Sequence, residues 1–174
     1  LAAAVGVRLI VEQPGRTLLT NVQGAENVLE YCARFEKPVL VASSSEVYGN
    51  HPEDVSLEES ALRIYGPTTA KRWAYADTKA LDEFLALALK QERGLRCVIV
   101  RLFNTVGPRQ SSQYGNGIPR FVQRALAGEP LGIHGDGSQT RCFCHVSDVV
   151  RALRGLAERA DGEIYNVGST DRIT

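Results

Sequence analysis

Hydrophobic residues recur with helical spacing early in the chain. Between 16 and 34, Leu18, Val22, Ala25, Leu29 and Cys32 fall at steps of four and three, which predicts a helix with one apolar face. Lys37-Pro38 ends that pattern. VLVA (39–42) is short, continuous and β-branched, the signature of a strand covered on both faces. A second helix over 74–93 is expected to turn Leu81, Phe84, Leu85 and Ala88 inward and to stop at Gly94. CVIVRLF (97–103) repeats the buried-strand pattern, while 50–70 and 107–117 hold no period and read as loops.

Further on, Pro119 suits the first turn of a helix running to Ala127. LGIH (131–134) and RCFCH (141–145) predict short strands around the turn GDGS. Ser147 is the expected N-cap of a helix to Arg159, with Asp148 in its first turn. EIYNV (163–167) is a final strand, and a new helix is expected to begin at DRIT. Strand and helix alternate throughout, so the fold class is α/β with a doubly wound parallel sheet.

Composition changes this picture little. The 174 residues suffice for one domain, and 44% hydrophobic with 23% charged residues is ordinary for a globular protein. Twenty basic residues balance twenty acidic ones, which leaves no footprint for nucleic acid or an anionic membrane. No apolar run is long enough to span a bilayer and no signal peptide is visible. Cys32, Cys97, Cys142 and Cys144 lie in apolar patterns and read as reduced core residues, which points to the cytoplasm. In CFCH, Cys142 and Cys144 share one side of a strand and His145 takes the other, so no metal site is expected. His51 and His134 read as loop and strand-edge residues. The chain begins LAAAVGV and contains no methionine, and it reads as an internal piece of a longer protein.

The chemistry concentrates in SSSEVYG (43–49), where a buried strand ends in three hydroxyls, a carboxylate and a tyrosine. Polar groups at the carboxyl ends of strands in an α/β sheet are where ligands bind. In WAYADTKAL, Tyr75 and Lys79 are four apart and share one helix face. A phenol is a poor base at neutral pH unless something stabilises its anion, and a neighbouring ammonium does so. A hydroxyl at the strand end can bond a substrate hydroxyl that the tyrosinate deprotonates, and Glu46 can serve as a second acid or base.

SSSEVYG, YADTK, RLFNTVGPR and HGDGSQTRCFCHVSDVV, in this order, resemble the extended short-chain dehydrogenase/reductases of the NAD-dependent epimerase/dehydratase family, which modify nucleotide sugars. The resemblance covers essentially the whole chain and implies a Rossmann-type sheet, NAD as cofactor, a UDP-sugar substrate and a homodimer. It implies that Tyr75 is the catalytic base, that Lys79 holds the nicotinamide ribose, and that Ser44 and Glu46 complete the catalytic set. Leu1, Ala2, Ala3, Thr20, Ser43 and Phe103 take cofactor positions by the same likeness, and Ser45, Asn104 and Arg141 substrate positions. Residues 1–105 then form the NAD-binding domain and 106–174 mostly substrate-binding segments, with helix 147–159 and strand 163–167 returning to the first. The family's glycine-rich phosphate loop is not in the chain, which implies roughly 60 or more residues upstream. Ser-Glu before VYG, with Arg in QTR, is most similar to UDP-glucuronate decarboxylases. UDP-glucose 4-epimerase is the alternative, then a 4,6-dehydratase, whose Asp–Glu pair is here Ser45–Glu46. A non-catalytic dinucleotide-binding regulatory protein is the reading outside enzymes.

Overall fold

The computed structural model describes residues 3–4, 12–51, 56–111, 117–133 and 135–174. Helix α1 (Pro14–Arg34) opens on a proline, whose missing N–H costs nothing in the first turn. Strand β1 (Val39–Ser44) follows and passes directly into a 3-10 turn, Ser45–Tyr48. Helix α2 (Ala74–Arg93) ends as expected at Gly94, whose φ of 68° is left-handed, and the Leu95 N–H reaches back to the Leu89 carbonyl. Strand β2 (Cys97–Leu102) lies parallel to β1, with Val39 opposite Cys97 and Ser44 opposite Leu102.

The second half adds β3 (Thr105–Val106), α3 (Gly117–Leu126), β4 (Arg141–Cys142), β5 (Cys144–His145), α4 (Val146–Ala157), β6 (Ile164–Val167) and β7 (Arg172–Ile173). Strand β6 joins β2 in parallel, giving a three-stranded sheet in the order β1-β2-β6. Side chains alternate across β2. Cys97 and Ile99 pack with Leu29, Val41, Ala86 and Leu89 under α1 and α2, while Val98 and Val100 pack with Val149 and Val167 under α4. Helices therefore cover both faces, and the α/β parallel architecture is as the sequence predicts.

Four local expectations are corrected. Leu81 and Phe84 of α2 point to solvent, because the inward face is taken by Ala76, Ala80 and Ala86 together with the charged residues Lys79, Asp82 and Glu83. Residues 131–133 form no strand, and His134 lies outside the described residues. Helix α4 is capped by His145 rather than Ser147: the helix already starts at Val146, and the His145 ring nitrogen accepts the Ser147 N–H. Arg172–Ile173 is a strand, held antiparallel to Arg141–Cys142, instead of the start of a helix.

Candidate active site

The three serines at the end of β1 meet three different ends. Ser43 is buried and its hydroxyl donates to Glu83 of α2. Ser44 caps the 3-10 turn by accepting the Glu46 N–H at 3.2 Å. Ser45 is half-buried at the start of that turn, and Glu46 is exposed. Tyr48 is sequestered, donating to Asn166 Oδ1 at 2.7 Å and accepting from Arg101 Nη1 at 2.8 Å. Gly49 then sits at φ 77°, with the Ile64 carbonyl 2.0 Å from where a Cβ would be. Only glycine fits there. The close approach lets the Ile64 carbonyl accept the Asn50 N–H while the Ile64 N–H donates to the Tyr48 carbonyl, anchoring the strand end.

Helix α2 presents Tyr75, Lys79, Asp82 and Glu83 on the side facing that strand end. Burial pushes the Tyr75 phenol above its ordinary value, and the charges of Glu46 and Asp82 add to this, while the Ser44 hydroxyl opposes it. Glu46, Ser44 and Tyr75 are thus brought together, as the sequence expects. The ammonium is placed differently. Lys79 donates to Asp82 Oδ2 at 3.0 Å in a buried ion pair one turn along the helix. Burial raises the Asp82 carboxyl, with Lys79 pulling it back down.

Behind these groups lies a polar network that sequence reasoning missed. Arg101 of β2 donates through Nε and Nη2 to the two Glu83 oxygens at 3.0 and 2.7 Å, and through Nη1 to Tyr48 and to the Glu59 carbonyl. Burial disfavours the guanidinium charge, but the bonds to Glu83 and Tyr48 outweigh it and raise its pKa. Asn166 of β6 closes the network with bonds to Leu57 and Glu59. The carboxyl ends of β1 and β2 are fastened to α2 through Glu83, and that of β6 joins the network through Asn166 and Tyr48. The signal was present in the spacing: Glu83 is four residues after Lys79 and eight after Tyr75, on the same face.

Of the positions that could hold a cofactor, Leu1 and Ala2 lie outside the described residues. Ala3 is followed by Ala4, whose N–H and C=O both bond the Asn21 side chain, at 2.6 and 3.1 Å. Asn21 was not foreseen; Thr20 beside it is exposed. Phe103 packs its ring against Tyr48. Asn104 donates to the Cys142 carbonyl at 3.1 Å, which brings it beside the strand that starts at Arg141. Arg141 is exposed and donates to the adjacent Thr140 carbonyl. Small side chains at Ala3–Ala4, the Tyr75 phenol facing the carboxyl end of β1, and the exposed Arg141 suit a dinucleotide and a phosphorylated ligand.

The family model described as the NAD dependent epimerase/dehydratase family matches residues 1–168. A UDP-N-acetyl-alpha-D-glucosaminuronate decarboxylase of Bacillus cytotoxicus is 43% identical over 173 residues, 98% of this chain and 53% of that protein. UDP-glucuronic acid decarboxylase 5 of Arabidopsis thaliana is 35% identical over 164 residues, covering 92% of this chain and 47% of the relative. Among solved structures, a UDP-N-acetylglucosamine 4-epimerase from Methanobrevibacter ruminantium M1, in complex with UDP-N-acetylmuramic acid, superposes with a TM-score of 0.90 at 32% identity. That match covers 100% of this chain and 55% of the other. The chain spans about half the length of the curated relatives it matches.

Proposed function

The chain belongs to the NAD dependent epimerase/dehydratase family, and from that premise we propose that its protein decarboxylates a UDP-hexuronate, UDP-glucuronate or the 2-acetamido counterpart, through a 4-keto intermediate. The carrying observation is the juxtaposition of Ser44, Glu46 and Tyr75 at the end of β1. NAD, when bound, would supply the hydride acceptor for C4 of the sugar and, after CO2 has left, the hydride that restores the C4 alcohol. Tyr75 takes the C4 hydroxyl proton, and Ser44 orients that hydroxyl. Oxidation at C4 makes the C6 carboxylate a β-keto acid, whose loss of CO2 leaves an enolate with its charge on the C4 oxygen. The Tyr75 hydroxyl hydrogen-bonds that oxygen and then returns the proton. Glu46 orients the sugar and manages protons at C5 as the carboxylate leaves. Asn104 and Arg141 hold the diphosphate, and Lys79 the nicotinamide ribose.

The two decarboxylase relatives favour this reading over 4-epimerisation. Residues 1–105 serve as the NAD-binding part and 106–174 mostly face the substrate. The pairing of β6 with β2 supports the return of 163–167 to the first part. A homodimer through α1 and α2 is supported by exposed Val28 and Tyr31 on α1 with Phe35 just past its end, and by Leu81 and Phe84 on α2. A cytoplasmic site is supported by four free cysteines. Among the described residues no helix is long and apolar enough to cross a membrane.

The test is to incubate the full-length protein and NAD with UDP-glucuronate, UDP-N-acetylglucosaminuronate and UDP-glucose in parallel. A UDP-pentose with CO2 from either acid is the expected result. Interconversion of UDP-glucose and UDP-galactose without CO2 would install the epimerase reading instead.

A further inference from the structure

We propose that Asp82 is a positioning residue that draws the Lys79 ammonium toward itself and so governs how readily the Tyr75 phenol gives up its proton. The inference rests on the reading of Tyr75 as the base. Asp82 lies three residues after Lys79, and Nζ and Oδ2 are 3.0 Å apart with side chains only 10% and 4% exposed. A pair so enclosed escapes most screening by salt, so its charges act on their neighbours at close to full strength.

The charges facing Tyr75 come from several elements. Strand β1 contributes no titratable side chain. The turn after it contributes Glu46, whose charge reaches the phenol, and Tyr48, which Arg101 binds. Strand β2 contributes Arg101, and Glu83 of α2 takes that cation in a buried pair. Lys71 and Arg72, just before the helix, are exposed, and Glu30 of α1 is tied to Arg93 at the far end. Among the described residues both buried cations are therefore matched by carboxylates, Arg101 by Glu83 and Lys79 by Asp82. Among the same residues Glu46 is left as the uncompensated charge beside the phenol. This arrangement opposes the phenolate, in keeping with the upward displacement of Tyr75 by burial, Glu46 and Asp82.

Neutralising Asp82 removes one anion from the neighbourhood and frees a cation one helical turn from the phenol. Both changes favour the phenolate. The experiment is an ultraviolet titration of tyrosinate in the full-length protein, with the signal of Tyr75 isolated as the difference from Tyr75→Phe. In Asp82→Asn, made with and without Tyr75→Phe, the Tyr75 midpoint should fall by about one pH unit. The rise of CO2 release with pH should move down by the same amount. Because the titration needs no turnover, it reads Asp82 even if the protein proves not to be a decarboxylase. An unmoved or raised midpoint in a folded Asp82→Asn overturns the inference, and normal turnover alongside it leaves the functional reading standing. If Asp82→Asn fails to fold, Asp82→Ser, smaller and also neutral, decides by the same criterion.

Discussion

Replacing Glu83 with glutamine keeps its shape and removes one charge from the network under the site. The two guanidinium bonds from Arg101 would lose their ionised acceptor, and the glutamine amide would point a donor at a donor. Hydrogen bonds to charged groups contribute about 1.5–3 kcal/mol each, so two of them amount to roughly 3–6 kcal/mol. An independent route gives a similar figure: leaving one member of a buried ion pair unpartnered costs about 3–5 kcal/mol. Both members are only 8% exposed, which places the pair in that regime. A domain of this size loses about 2–4 °C of Tm per kcal/mol, so the melting point should fall by roughly 6–20 °C. Urea denaturation followed by circular dichroism measures the free energy directly. The control is Glu30→Gln, which breaks the Arg93–Glu30 pair. That pair is as short, at 2.6 Å, but its members are 38% and 49% exposed, so the loss should stay below about 1 kcal/mol. Equal losses in the two variants, or a loss under about 1 kcal/mol for Glu83→Gln, would refute the claim that burial sets the value of these bonds.

Other expectations follow from single residues. Gly49→Ala must place a Cβ against the Ile64 carbonyl at a left-handed φ, so urea denaturation should show a loss above about 1 kcal/mol. Glu46→Gln should leave NAD binding intact by fluorescence titration while CO2 release falls at least ~10-fold; unchanged release would remove Glu46 from the chemistry. Arg141→Gln should raise KM for the UDP-sugar with kcat nearly constant, because a diphosphate contact acts in ground and transition states alike.

The sequence carried the outline of the fold because the relevant signals are local. VLVA and CVIVRLF are doubly buried strands with nothing else to be, and Gly94 stops its helix by its own backbone freedom. The site was partly legible for the same reason: Tyr75 and Lys79 advertise a shared face by spacing alone. The partner of Lys79 was not legible, since helix spacing brings Asp82 near as well as Tyr75, and rotamer and burial decide between them. The orientation of α2 is not legible in its apolar spacing, since Leu81 and Phe84 face solvent. Two buried ion pairs allow a charged face to turn inward, and periodicity cannot reveal that. Arg101 and Asn166 depend on strand pairing across distant segments, so they became visible only with the sheet assembled. His145 as the α4 cap depends on where the short β5 strand ends, two residues earlier than the serine signal suggested.

The central claim is that Tyr75 drives oxidation at C4, and rapid mixing of the NAD-loaded full-length protein with UDP-glucuronate tests it most directly through the absorbance of reduced nicotinamide. The account predicts a transient rise in the wild type and a rate of rise at least ~10²-fold lower in Tyr75→Phe. Reduced nicotinamide forming equally fast in both proteins would contradict it.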